Sequence, residues 1–139
     1  MNDVFDLPDW PHLLKVTVRL VVAAFLGGLL GLQREREGKA AGLRTHMLVA
    51  LGAALFTIAP LEVGMSSDNL SRVIQGVATG VGFLGAGTIL KKRDEQEIYG
   101  LTTAAGVWLT AAVGISVGMG QLWIPAIGVV LALIILSAL

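Results

Sequence analysis

The stretch IYGLTTAAGVWLTAAVGISV, residues 98–117, decides the fold, because it contains no charged side chain. A helix that crosses a membrane needs about 20 predominantly apolar residues. Similar runs recur along the 139-residue chain, of which 55% is hydrophobic and 14% charged, against about 25% charged residues in a soluble domain. The mean hydropathy is +0.78. The sequence therefore predicts an all-α integral membrane protein and excludes a soluble enzyme domain.

The apolar runs predict five transmembrane helices in a single transmembrane domain that covers residues 1–139. Continuous apolar runs favour helices over the alternating strands of a barrel. The predicted helices cover residues 13–32, 45–61, 73–90, 98–117 and 122–139. Because the chain is still apolar at residue 139, either the last helix ends at the membrane surface or a cytoplasmic extension follows it, and we expect the extension.

Lys and Arg are concentrated in two of the predicted loops. Seven of the ten lie in residues 33–44 and 91–97. Cytoplasmic loops carry an excess of Lys and Arg, so the N-terminus is predicted outside and the C-terminus in the cytoplasm. The formal net charge is zero, which gives no reason to expect a nucleic-acid partner. The expected surroundings are membrane lipid.

The two halves of the chain resemble each other when the sequence is shifted by 58 residues. Residues 25–54 and 83–112 then share 12 identities in 30 pairs, and Gly-Leu-x-Thr recurs at 42–45 and 100–103. We interpret this match as two copies of a helical hairpin in parallel orientation, followed by a fifth helix. The alternative is that short apolar hairpins resemble one another by composition.

Glycines at a spacing of four predict close helix packing, because small residues let helix backbones approach in lipid. The third predicted helix is the richest in them, so we expect it at the centre of the fold and the fifth helix at the edge. Further packing surface would remain for a homodimer. The glycines predicted to pack are Gly27, Gly31, Gly76, Gly80, Gly82, Gly85 and Gly87, and Gly114 and Gly118 have the same spacing.

The predicted spans contain no Asp or Glu, and the chain has no Cys. Intramembrane acids usually mark ion pathways, and Mg²⁺ prefers oxygen ligands that include carboxylates. We therefore predict no catalytic, cofactor or metal residues, although Mg²⁺ binding by backbone carbonyls stays open. Arg19 either snorkels to the outer interface or pairs with Asp68 or Glu62, whereas Gln75 and Thr79 are predicted to form hydrogen bonds between helices.

A polar patch is predicted where the second and fourth helices begin. Arg44 lies at the positive end of a helix dipole, where a cation needs a compensating anion such as Glu35 or Glu37. Thr45 and Thr103 are candidate caps of the two helices. We expect Arg44, Thr45 and Thr103 to line one anion-binding patch. The alternative is ordinary capping together with positive-inside anchoring.

Three motifs together resemble the MgtC/SapB family of bacterial membrane proteins. They are GLRTH at 42–46, GFLGAG at 82–87 and GLTTAA at 100–105. The resemblance extends from about Gly27 to Gln121. It departs at Gln33, where the family often has Glu, so no role of that acid is carried over.

The resemblance implies a non-enzymatic regulator in the bacterial inner membrane, connected with magnesium homeostasis, stress and virulence. It also implies contact with another membrane protein, for which the ATP synthase is a candidate. The alternative function is transport of magnesium or another ion.

Overall fold

The computed structural model describes residues 5, 7–91 and 96–139, and of Lys91 only the backbone. These residues form five α-helices and one short antiparallel hairpin, so the all-α prediction is confirmed at this level. The elements are α1 (Trp10–Arg36), α2 (Leu43–Glu62), α3 (Ser67–Ala86), β1 (Leu90–Lys91), β2 (Ile98–Tyr99), α4 (Leu101–Gly118) and α5 (Trp123–Ala138).

Three of the described helices, α1, α2 and α4, are long and apolar enough to cross a membrane. Helix α5 is apolar but shorter, with 16 residues. Helix α3 is less apolar because its first half contains Asp68, Arg72 and Gln75. The number of five membrane crossings therefore stays a prediction.

The helix boundaries differ from the predicted ones where capping and turn residues intervene. Helix α3 begins six residues early, at Ser67, because the Ser66 hydroxyl accepts a hydrogen bond from the Asn69 backbone N–H (3.4 Å). Helix α4 begins late, at Leu101, because Gly100 adopts a left-handed conformation with φ of +93° and β2 precedes it. Helix α1 continues to Arg36, through residues predicted as a loop.

Helix α4 lies at the centre of the fold, where it contacts each of the other four helices. Its Gly114 lies against the Ala50 backbone of α2, and a Cβ on Gly118 would lie 2.9 Å from the Ala54 carbonyl oxygen. These close approaches place α4 deep against α2.

The prediction of a central third helix was wrong. Only Leu70, Val77 and Gly85 of α3 are buried, and the helix packs along α4 with lesser contact to α2. Glycine density was a poor guide because most α3 glycines face away from the other helices. Helix α5 lies at the edge as predicted, against α4 and α1.

Candidate functional site

Arg34 is a buried arginine at the end of the bundle where α4 begins. It is only 4% exposed, because the last turns of α1 continue the buried face of Gly27 and Gly31. Its Nη2 donates a hydrogen bond to the Thr103 hydroxyl (3.3 Å), and its Nε has no partner. Among the described residues, no carboxylate lies within 4.0 Å of its guanidinium.

The N-terminus of α4 lies beside this arginine. The N-cap is Gly100, which offers no side-chain hydrogen bond. The first backbone N–H groups of a helix have no partner within the helix, and the dipole gives this end a positive partial charge. Arg34 therefore adds a full positive charge to an end that is already electropositive.

A cavity of about 480 Å³ opens at this end of the bundle. Its described lining contains Arg34, Lys39 and the first turn of α4, and no acidic residue. Leu90, Ile98 and Leu101 supply apolar wall, and all three side chains are exposed. The cavity thus combines two basic side chains with an apolar rim.

The structure does not assemble the predicted patch of Arg44, Thr45 and Thr103. Both threonines lie in the third position of their helices, past the N-caps Gly42 and Gly100, so neither is a cap. Arg44 is exposed, and the arginine that meets Thr103 is Arg34. The sequence contained a signal for this, since Arg34 follows Gly27 and Gly31 at helical spacing.

The N-terminus of α2 has the opposite electrostatic environment. A Cβ placed on its N-cap Gly42 would lie 2.9 Å from Glu35 Oε1, so a carboxylate lies beside this end. Glu35 was one of the anions expected here. A negative charge at a helix N-terminus is favourable.

His46 is the most deeply buried titratable residue of the described chain, at 1% exposed. Its Nδ1 lies 2.8 Å from the Gly42 carbonyl oxygen, so Nδ1 carries the proton and donates. Its Nε2 is buried without a partner. The ring lines an apolar cavity of about 210 Å³ with Leu30 and Gly106. In the sequence, His46 stands out only as part of the GLRTH motif, and its burial beside this cavity was not predicted.

The predicted packing glycines fall into three groups. Gly27 and Gly31 lie against α2, and Gly85 lies against α4, where added Cβ atoms would come within 2.7, 2.8 and 3.1 Å of other atoms. Gly87 meets only the Leu84 carbonyl of its own turn. The remaining three would have no neighbour within 4 Å of an added Cβ among the described residues of the other elements: Gly76, Gly80 and Gly82.

The polar side chains predicted inside the membrane are also not paired as expected. Gln75 and Thr79 are exposed on α3, and among the described residues no hydrogen bond joins them to another helix. Arg19 meets neither predicted acid: its guanidinium lies at the turn after α4, where a Cβ on Gly120 would be 3.1 Å from Nη2. That position suits a cation, because helix C-termini are electronegative. Glu62 instead pairs with His12 (2.6 Å).

The described residues contain no group of three or more His, Cys, Asp or Glu side chains that could hold a metal ion. The arrangement is that of a helical membrane protein whose helices pack through glycines and which has a buried arginine at one end of the bundle. The chain belongs to the MgtC family, whose family model matches residues 20–139.

Three relatives illustrate the similarity. Protein SrpB of Synechococcus elongatus is 45% identical over 99% of this chain and 80% of its own length. The putative magnesium transporter YhiD of Escherichia coli K12 is 44% identical, over 86% of this chain and 58% of its own. Protein MgtC of Salmonella typhimurium is 39% identical, over 81% of this chain and 45% of its own. This chain thus spans about half the length of YhiD and MgtC. No solved structure matches it.

Proposed function

We propose that this protein is a non-enzymatic regulator of the bacterial inner membrane, linked to magnesium homeostasis, that acts through helix contacts with other membrane proteins. The observation that carries the proposal is one face of α3. Membership of the MgtC family and the name of the relative YhiD support the link to magnesium.

The α3 face consists of five exposed residues at positions spaced three and four apart: Arg72, Gln75, Gly76, Thr79 and Gly80. Residues at this spacing lie on one side of a helix. Polar groups that face hydrocarbon are costly, and membrane helices cover them with neighbouring helices. The small residues would let another backbone approach closely.

The first occupant we propose for the α3 face is a second copy of the chain. Gly76 and Gly80 form the small-xxx-small spacing of self-associating helices, and two-fold dimers are the commonest closed assembly. The dimer then contacts another membrane protein. Alternatively, the α3 face leaves the dimer contact and binds that protein directly. The ATP synthase implied by the family resemblance is the target to test first.

The test replaces Gly76 or Gly80 by Leu, since a Cβ added at either position would have no neighbour within 4 Å among the described residues beyond its own stretch of helix. We expect folded protein that loses its assembly in nanodiscs and fails to restore growth in low magnesium. Gly128→Leu on α5 is the matched control, because Gly128 also has open space around it. Unchanged mass and growth in both α3 variants would refute the proposed contact surface.

Magnesium transport is the alternative, favoured by the name of YhiD. Measuring Mg²⁺ uptake into liposomes that contain the purified full-length protein distinguishes the two functions. The regulator proposal expects no Mg²⁺ uptake above that of empty liposomes, whereas uptake that saturates with Mg²⁺ would support transport.

The proposed orientation places the Arg34 end of the bundle in the cytoplasm, because that end carries Arg36, Lys39 and Arg44 as well. Since the chain has no Cys, single cysteines report topology directly. Ser67→Cys should react with an impermeant thiol reagent in intact cells, and Gln96→Cys should not. The reverse pattern would invert the orientation.

A further inference from the structure

The geometry points to a phosphate-binding site at the N-terminus of α4, formed by Arg34, Lys39 and the backbone N–H groups of the first α4 turn. Charges of the same sign meet at this position, away from the α3 face, because Arg34 is 4% exposed and lies against the positive end of the α4 dipole.

A buried charge without a counter-ion is strongly unfavourable. Thr103 satisfies only one of the guanidinium donors, as an uncharged acceptor, and the Arg34 Nε has no partner. Among the described residues no carboxylate lies within ion-pair distance of Arg34. An anion in the adjoining cavity would resolve the conflict.

The donor set fits phosphate. A guanidinium offers paired N–H groups in a planar fork that matches phosphate oxygens, and a helix N-terminus presents further N–H groups to the same anion. Gly100 caps α4 without a side chain, which leaves this end open. Lys39 lines the same cavity and supplies a second positive charge.

The cavity, at about 480 Å³, also has room for groups attached to the phosphate. Its wall includes Leu90 and Ile98, which are 60% and 52% exposed. Such a rim would accept the first acyl carbons of a phospholipid, while a free phosphate would use only the polar part. The phosphate of a lipid headgroup and a soluble phosphate share the chemistry, and the experiment separates them.

The experiment measures binding to purified full-length protein in a phosphate-free detergent. The soluble probe is inorganic phosphate, with acetate at equal ionic strength as the carboxylate comparison. The lipid probe is dioctanoyl phosphatidic acid, with dioctanoylglycerol as the same lipid without phosphate. Native mass spectrometry counts bound lipid, and the thermal midpoint reports both probes.

We expect the phosphate-bearing lipid to bind and to raise the thermal midpoint, and dioctanoylglycerol to do neither. Arg34→Gln should weaken binding by about tenfold or more, as for the loss of a charge-assisted hydrogen bond. Arg36→Gln, an exposed arginine outside the cavity, should bind like the parent protein. A response to lipid alone assigns the site to headgroups, and an equal response to inorganic phosphate assigns it to soluble phosphate.

Three results would overturn the inference: no binding of either phosphate probe, equal binding of acetate, or unchanged affinity in Arg34→Gln. Should Arg34→Gln fail to fold, Arg34→Lys and Lys39→Gln decide. Arg34→Lys keeps the charge and loses the fork, whereas Lys39→Gln removes an exposed cation. Weaker binding in either supports the site, and unchanged affinity in both refutes it.

Discussion

The hairpins α1–α2 and α3–α4 contain the same close contact at aligned positions. A Cβ on Gly27 would lie 2.7 Å from the His46 carbonyl oxygen, and a Cβ on Gly85, 58 residues later, would lie 3.1 Å from the carbonyl oxygen of Ala104, also 58 residues later. What differs is the surroundings. Helix α1 packs against α2, α4 and α5, whereas α3 presents a polar face outward.

This difference shows that a glycine spacing alone does not say what the glycines contact. Gly27 and Gly31 share their face with buried Ala23 and Leu30, and the face stays apolar until Arg34 at its end. Gly76 and Gly80 share theirs with exposed polar side chains. The neighbours on the helix face distinguish packing within the chain from a surface left for another helix.

The largest effect is expected where a glycine touches backbone. Gly114→Leu should prevent folding, because its Cβ would overlap the Ala50 carbonyl oxygen of α2 and the helices would have to separate. Overpacking a core whose side chains can shift costs about 1–3 kcal/mol of stability. The cost should be larger here, because helix backbone shifts less readily than a side chain. Size-exclusion profiles in detergent measure the outcome against Gly128→Leu, and monodisperse Gly114→Leu protein would contradict the described packing.

A smaller effect is expected where the aligned glycines of the two hairpins differ in conformation. Gly100 has φ of +93° and an added Cβ would overlap the Thr88 carbonyl, so Gly100→Ala should cost about 1–3 kcal/mol or more. Gly42 has φ of −107° and faces the movable end of Glu35. Gly42→Ala should change stability by less than about 1 kcal/mol. Similar thermal midpoints for both variants would remove this distinction.

Much of the fold was predictable from apolar run length, because hydrocarbon requires continuous helices. The end of α1 was not, since Gln, Arg and Glu are good helix formers as well as loop residues. The sequence therefore predicts a loop at Arg34 and a patch that joins Arg44 to Thr103, whereas the arginine that meets Thr103 is Arg34. The position of α3 was missed because spacing does not show which face meets a neighbour.

The smallest effect is expected at the N-terminus of α2. Glu35→Gln removes the carboxylate beside this end and should lower stability by about 0.3–1 kcal/mol at low salt. The loss should shrink as salt rises, because exposed charges are screened. Glu37→Gln is the control, since Glu37 caps the C-terminus of α1 instead. Equal losses in both variants would show that the dipole of α2 is not involved.

Cross-linking from the α3 face tests the central claim most directly. Because the chain has no Cys, a photoactivatable group can be attached to a single cysteine at Thr79, and at Leu131 on the exposed apolar face of α5 as control. In native membranes we expect Thr79→Cys to cross-link to protein, either a second copy or another membrane protein, and Leu131→Cys to label lipid. Lipid adducts alone at Thr79, as at Leu131, would contradict a helix contact on this face.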